Sequence, residues 1–326
     1  MSATMVELDS SSTVAVSPLS DMRDVFISRL HEFAVRDERI VFLACDFGAP
    51  SLDSFRKELP KQFLNVGIAE QNAISFAAGL ALGGKKVFVY SIASFITLRC
   101  FEELKLDLSL MRLPVTILAV GACYAYSFDG PTHHASEDIS ILRTLPHFRI
   151  FSPSDNVTTS MMAEEAANSK EPVYLRLDRG RYPIYPRSVP DFRKGFRVLR
   201  EGTSLAFVAT GAMVHRAMEV AEELETKGIS VKVIDLFCLK PFDCAELLKA
   251  MNTCKKVATI EEHSINGGLG SIIAEVLVDH GANIPCRRFG ISDDLLAGYG
   301  NRHELQKERG LEKWDLVSKL GNWLQD

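Results

Sequence analysis

Glu70 lies in the stretch Asn65-Val-Gly-Ile-Ala-Glu-Gln-Asn, at the start of a small-residue run (Ala73, Phe76, Ala77, Ala78, Gly79) that reads as a helix. A carboxylate at a helix N-terminus is favoured by roughly 0.3–1 kcal/mol through the macrodipole, a purely structural reason for it to be there. A buried carboxyl held against a ring nitrogen can also share a proton with it and change its basicity, which is acid–base chemistry. Further along, Asp129-Gly-Pro-Thr-His-His places an acid and two imidazoles, His133 and His134, in a Gly-Pro turn after a buried strand. As a bare pattern this is a turn in which His133 caps something locally. A third stretch, Glu261-Glu-His-Ser-Ile-Asn-Gly-Gly-Leu-Gly, is a Gly-rich turn before a helix. It has the character of an anion cradle, without the full Gly-x-Gly-x-x-Gly spacing.

The elements that must position these residues alternate between strand and helix. The spacing predicts helices over 22–36, 67–82, 95–111, 136–144 and 156–168, and strands over 39–44, 86–90, 114–120, 149–152 and 172–177. Alternation of this kind implies a mostly parallel sheet covered on both faces, with ligands outside the carboxyl ends of its strands. Asp46, Phe95, Asp129, His133 and Arg179 each follow a strand closely. Prolines then break the pattern, and a second α/β block follows: strands over 205–209, 230–236 and 256–261, helices over 215–227, 244–251 and 270–280. The expected organisation is a disordered tail over 1–20, a first α/β domain over 21–187, a linker over 188–196 and a second α/β domain over 197–326.

Composition narrows the field. The chain has 326 residues, 47% hydrophobic and 24% charged, which fits two globular domains. A formal charge of −5 offers no basic field for nucleic acid or an anionic membrane. The seven cysteines are scattered, without a Cys-x-x-Cys pair, so neither a zinc site nor a disulfide framework is expected. Reduced thiols, no apolar run long enough for a bilayer and no signal-peptide pattern point to a cytoplasmic protein.

Gly67-Ile-Ala-Glu-Gln and Asp129-Gly-Pro-Thr-His together resemble the pyrimidine-binding half of transketolase, a thiamine diphosphate enzyme, and the likeness extends over about residues 21–320. The resemblance implies a pyrimidine-binding domain followed by a transketolase C-terminal domain, and transfer of a two-carbon ketol unit from a ketose. It implies that Glu70 hydrogen-bonds the aminopyrimidine N1′ of the cofactor. Phe95 would stack on that ring, with Phe101 nearby and Leu98 making an aliphatic wall. Asp46 would lie close to the cofactor, or simply serve its turn. Asp129 and His133 would contact donor hydroxyls, His133 binding the donor or moving a proton. Arg179 and Arg23 sit where the family grips the substrate phosphate, a task that suits a planar guanidinium. His134 has no assigned role, and His263 is an outside candidate. One departure stands out: a histidine that helps bind phosphate in many transketolases, just after the 114–120 strand, is Gly121 here.

The family's Gly-Asp-Gly motif with its downstream Asn, which holds Mg²⁺ and the diphosphate, is absent from this sequence. The resemblance therefore implies a separate partner chain carrying that motif and the Mg²⁺ ligands, in an α₂β₂ assembly whose central dimer this chain supplies. Two other readings stay open at this point. One is a beta-type subunit that passes its two-carbon unit to a lipoyl or carrier-protein acceptor. The other is a non-catalytic scaffold subunit.

Overall fold

The computed structural model describes residues 4–7, 13–16, 20–185, 190–293 and 299–325. Strands β1 (Thr4–Glu7) and β2 (Thr13–Val16) pair antiparallel. Part of the segment expected to be a disordered tail thus carries two paired strands, in keeping with its Thr and Val content; residues 1–3, 8–12 and 17–19 lie outside the described residues. The first domain contributes β3 (Ile40–Ala44), β4 (Phe63–Asn65), β5 (Lys86–Ile92), β6 (Val115–Val120), β7 (Arg149–Phe151) and β8 (Val173–Leu177). The second contributes β9 (Arg197–Arg200), β10 (Leu205–Ala209), β11 (Val231–Asp235), β12 (Cys238–Lys240), β13 (Lys256–Ser264) and β14 (Cys286–Ile291).

Two α/β sheets result, as the alternation predicted. The larger has the order β12-β7-β8-β6-β5-β3-β4 and the smaller β14-β13-β10-β11-β9. Both are parallel except at one edge, where β12 runs against β7 and β9 against β11. Successive side chains of the first sheet feed opposite cores. Val41, Leu43, Val87 and Val89 pack towards the helix Glu70–Leu82. Phe42, Phe88 and Tyr90 pack towards the helix Met22–Ala34. Burial on both faces is why these strands read as continuous apolar runs.

β3, β5, β6 and β8 are neighbours and parallel, so their carboxyl ends lie along one rim of the sheet. That rim carries Asp46, Phe95, Gly121 and Arg179. The helix predicted over 95–111 is broken: Ala93–Leu98, a short turn Phe101–Glu103, then a π-helical run Leu104–Leu110. Side chains compete for the backbone at the break. Thr97 Oγ1 donates to the Ala93 carbonyl at 2.6 Å and Cys100 Sγ to the Phe95 carbonyl at 3.6 Å.

Buried charge joins the domains. Arg302 forks onto both oxygens of Asp178 (2.6 and 2.7 Å) and both of Glu262 (2.9 and 2.6 Å). Arg197 bridges Asp155 and Asp235, each at 2.9 Å. Among the described residues no helix is long and apolar enough to cross a membrane.

Candidate active site

The rim is built from short loops with their own bracing. Asp46 adopts φ +54° after β3, and Asn65 at the end of β4 holds it. Asn65 Oδ1 accepts the Asp46 and Gly67 N–H groups at 3.0 and 3.1 Å, and its Nδ2 donates to Asp46 Oδ1 at 2.9 Å. The Asp46 carboxylate therefore braces the loop that leads to Glu70. Gly67 sits at φ +77°, and the helix begins at Glu70 itself rather than at residue 67.

Glu70 is 4% exposed. Ser91 Oγ donates to its Oε1 at 3.3 Å, and Arg99 Nη1 lies 3.6 Å from its Oε2. Arg99 Cζ also stands 4.4 Å above the Phe95 ring. A planar N–H-bearing group is thus held between a buried carboxylate and an aromatic face. The same Phe95 ring meets the His133 imidazole edge-on, with centroids 4.9 Å apart. The Tyr126 ring lies 6.0 Å from that imidazole, and Arg179 Cζ sits 4.6 Å over the Tyr126 ring.

The structure thus brings Glu70, Phe95, His133 and Arg179 into one neighbourhood, with Arg99 bridging Glu70 to Phe95 and Tyr126 bridging His133 to Arg179. Asp129 is exposed at the end of the 3₁₀ turn Tyr124–Asp129. Gly130 follows at φ +77°, and a Cβ there would lie 2.3 Å from the Tyr299 ring of the second domain. Arg23 pairs with Asp24 at 3.1 Å, and its charge acts on the phenols of Tyr90 and Tyr126. Phe101 has no ring contact with this group among the described residues. It packs against the hydrophobic cluster of Ala73, Ala77 and Leu104.

Three candidates prove to be internally committed. His134 is buried edge-on against Tyr124 at 5.1 Å, burial lowers its pKa, and its Nε2 has no hydrogen-bond partner among the described residues, so its commitment is one of packing. His263 Nδ1 faces the Ser264 carbonyl at 2.7 Å, and its Nε2 accepts the Ile139 N–H at 3.2 Å. Burial holds this imidazole neutral, with a pKa of about 4. The Gly-rich turn is a cradle already filled by the chain. Glu261 Oε2 and Oε1 accept the Leu269 and Gly270 N–H groups at 2.6 and 2.7 Å, at the start of the helix Leu269–Asp279.

Arg99 and Tyr126 carry no motif that marks them in the sequence. Arg99 follows Phe95 by one helical turn, the spacing that puts two side chains on one face. Tyr126 is signalled by Gly121, whose φ of +99° and missing side chain leave room for a large neighbour. Among the described residues no group of three or more His, Cys, Asp or Glu could hold a metal ion.

Residues 20–184 match the model described as "Transketolase, pyrimidine binding domain", and residues 195–316 "Transketolase, C-terminal domain". The chain is 39% identical to an apulose-4-phosphate transketolase subunit of Phocaeicola vulgatus, over 89% of this chain and 93% of that protein. It is 34% identical to a 6-deoxy-6-sulfo-D-fructose transketolase subunit of Clostridium sp., over 91% and 92%. A solved structure described as a split gene transketolase, inactive beta4 tetramer, superposes with a TM-score of 0.84 at 34% identity, covering 94% of this chain and 98% of that one. The chain belongs to the transketolase family, in which it corresponds to the subunit of split transketolases that carries the pyrimidine-binding and C-terminal domains.

Proposed function

We propose that this chain is the pyrimidine-binding subunit of a two-chain transketolase that moves a two-carbon ketol unit from a ketose donor. The observation that carries the reading is the Glu70–Phe95 pair, which already clasps a flat nitrogen group, the Arg99 guanidinium. An aminopyrimidine presents the same features, a planar π-face and an in-plane nitrogen facing the carboxylate. Glu70 and Phe95 therefore fit the pyrimidine end of thiamine diphosphate, with Arg99 moving aside. The bound cofactor supplies the electron sink for cleavage of the ketose C2–C3 bond.

The rest is the work of this chain's residues. Glu70 shares a proton with the pyrimidine N1′, and its burial keeps water from competing for that proton. His133, held beside Phe95, binds the donor or takes up a proton at its hydroxyl, and exposed Asp129 orients the neighbouring hydroxyls. Arg179 and Arg23 supply positive charge for an anionic terminus. The names of the two relatives, one a phosphate and one a sulfonate sugar transketolase, agree with that charge.

Mg²⁺ and the diphosphate would be held by a separate chain with a Gly-Asp-Gly motif, in a soluble cytoplasmic α₂β₂ assembly. Two features support a second polypeptide over the site. Ile68, Leu98 and Phe128, which flank Glu70, Arg99 and Asp129 in sequence, are 78%, 49% and 73% exposed. The structure described as an inactive beta4 tetramer is of a related chain. The test is to mix the chain with such a partner, thiamine diphosphate and Mg²⁺, then follow ketose cleavage together with cofactor binding by calorimetry. Cofactor binding and turnover that need both chains are expected. Soluble, folded mixtures that neither bind the cofactor nor cleave any ketose would remove the proposal.

A further inference from the structure

We infer that Tyr126 is the positioning residue for the charged end of the sugar: its ring is the platform on which Arg179 is held. The inference rests on the ketol-transfer reading for its substrate and on geometry for its mechanism.

The platform exists because two residues fit together. Gly121 ends the 115–120 strand with φ +99°, and a Cβ there would stand 2.2 Å from Tyr126 Cε2. The Tyr126 ring therefore occupies the space that a side chain at 121 would need. It is 8% exposed and fixed on its other sides by Phe47 at 6.4 Å and His133 at 6.0 Å. A ring so wedged cannot follow a mobile partner; the partner must come to it.

That partner is Arg179, whose guanidinium carbon lies 4.6 Å over the ring while the residue itself is exposed. Arg179 forms no ion pair among the described residues. Stacking fixes the plane of a guanidinium but leaves its edge N–H groups free. Those N–H groups form a fork suited to a tetrahedral oxyanion. The backbone beneath is equally fixed, since Asp178 takes the Arg179 N–H at 2.7 Å and is itself clamped by Arg302. Arg23, paired with Asp24, and Arg179 both act electrostatically on the Tyr126 phenol, against Asp21 and Asp129. The phenol oxygen is buried with no partner among the described residues, and burial keeps it protonated. The stacking contact with Arg179 is made by the ring and does not involve the hydroxyl. The ligand class is a ketose with a terminal tetrahedral oxyanion, either phosphate or sulfonate.

Equilibrium binding to the cofactor-free two-chain complex tests this without turnover, with fructose 6-phosphate, 6-deoxy-6-sulfofructose and fructose as probes. In the wild type both charged sugars should bind more tightly than fructose, and their ratio identifies which oxyanion the fork prefers. Tyr126→Leu should weaken both charged sugars about fivefold, the equivalent of a contact of about 1 kcal/mol, and leave fructose unchanged. Tyr126→Phe should stay within about twofold of wild type. In an Arg179→Ala background the Tyr126 substitutions should add nothing. Should Tyr126→Leu fail to fold, Tyr126→Met serves the same arm. Equal weakening of fructose, a Phe variant as poor as Leu, no loss in either, or no preference of the wild type for charged sugars would each overturn the inference. Absence of ketose cleavage by the complete complex would instead count against the ketol-transfer reading alone.

Discussion

Two regions of this molecule hold the same chemical ingredients and treat them in opposite ways. Around Glu70 and around Glu261 there is a buried acid, a helix start, nearby histidine and glycine in the approach. At Glu261 both carboxylate oxygens meet backbone N–H groups, and both His263 nitrogens have backbone partners. At Glu70 the carboxylate has, among the described residues, a 3.3 Å contact from Ser91 and a 3.6 Å contact from half-exposed Arg99. Residue type and burial do not separate a working acid from a structural one. What separates them is whether the protein has already satisfied the group.

The contrast can be broken most sharply at Glu70. Glu70→Gln in the two-chain complex should lower turnover by about 10²- to 10⁴-fold, the range of a positioned acid or base. Its melting temperature should stay near that of wild type. Unchanged turnover would return Glu70 to the structural class.

Glu261→Ala should show the reverse. It strands the Leu269 and Gly270 N–H groups at a buried helix start and should cost about 3 kcal/mol of stability, read by denaturant unfolding. The folded fraction should keep its turnover per molecule at low temperature. A loss of specific activity larger than the loss of folded protein would give this acid a chemical task.

A pH series sharpens the same contrast. Unfolded histidine titrates near about 6.5, whereas folded His263 is held at about 4. As pH falls between these values the unfolded chain takes up the proton first, so stability contributed by neutral His263 is lost across that window. Glu261, pushed up to about 7 by burial, works in the opposite sense as pH falls. Comparing wild type with His263→Gln cancels that second contribution. The stability gap between them should narrow by about 2 kcal/mol from pH ~6.5 to ~4. A constant gap would mean that His263 titrates normally.

The smallest effect concerns Arg99. Its contact with Glu70 involves a half-exposed side chain, a class worth about 0–1 kcal/mol. Arg99→Ala should tighten thiamine diphosphate binding to the complex by up to about fivefold, because the cofactor no longer displaces a resident group. Weaker binding would show that the guanidinium assists the cofactor instead.

Much of this architecture is legible in the chain. Short runs such as Ile40–Ala44 and Val173–Leu177, alternating with helical spacing, mark parallel strands, and the structure buries them throughout. The helix Asn156–Asn168 matches its expected bounds to the residue, its start fixed by the Asp155 capping box. Where the signal lies in hydrogen-bond competition rather than periodicity, the reading fails. The apolar spacing runs smoothly through 95–111, yet the helix breaks after Leu98, where Thr97 and Cys100 side chains bond the Ala93 and Phe95 carbonyls. Short pieces such as β4 and β12 carry too few residues to show a period. At the rim, Glu70, Phe95, His133 and Arg179 can be named from motif and position. The filled state of the Gly-rich turn cannot, because its occupant is a side chain from the preceding strand that only the folded turn brings into reach. Arg99 and Tyr126 are hidden for a related reason: their importance lies in what they stack on.

β12 has a practical meaning for anyone who would take this protein apart. It comes from the second half of the chain, yet it seals the outer border of the first sheet by pairing with β7. A fragment ending before residue 238 would retain the candidate site side chains of the rim but bare a row of backbone donors and acceptors along β7. Raw borders of that kind recruit strands from neighbouring molecules. The pyrimidine-binding half should therefore resist excision as a well-behaved module, the more so because Asp178 would lose its Arg302 clamp.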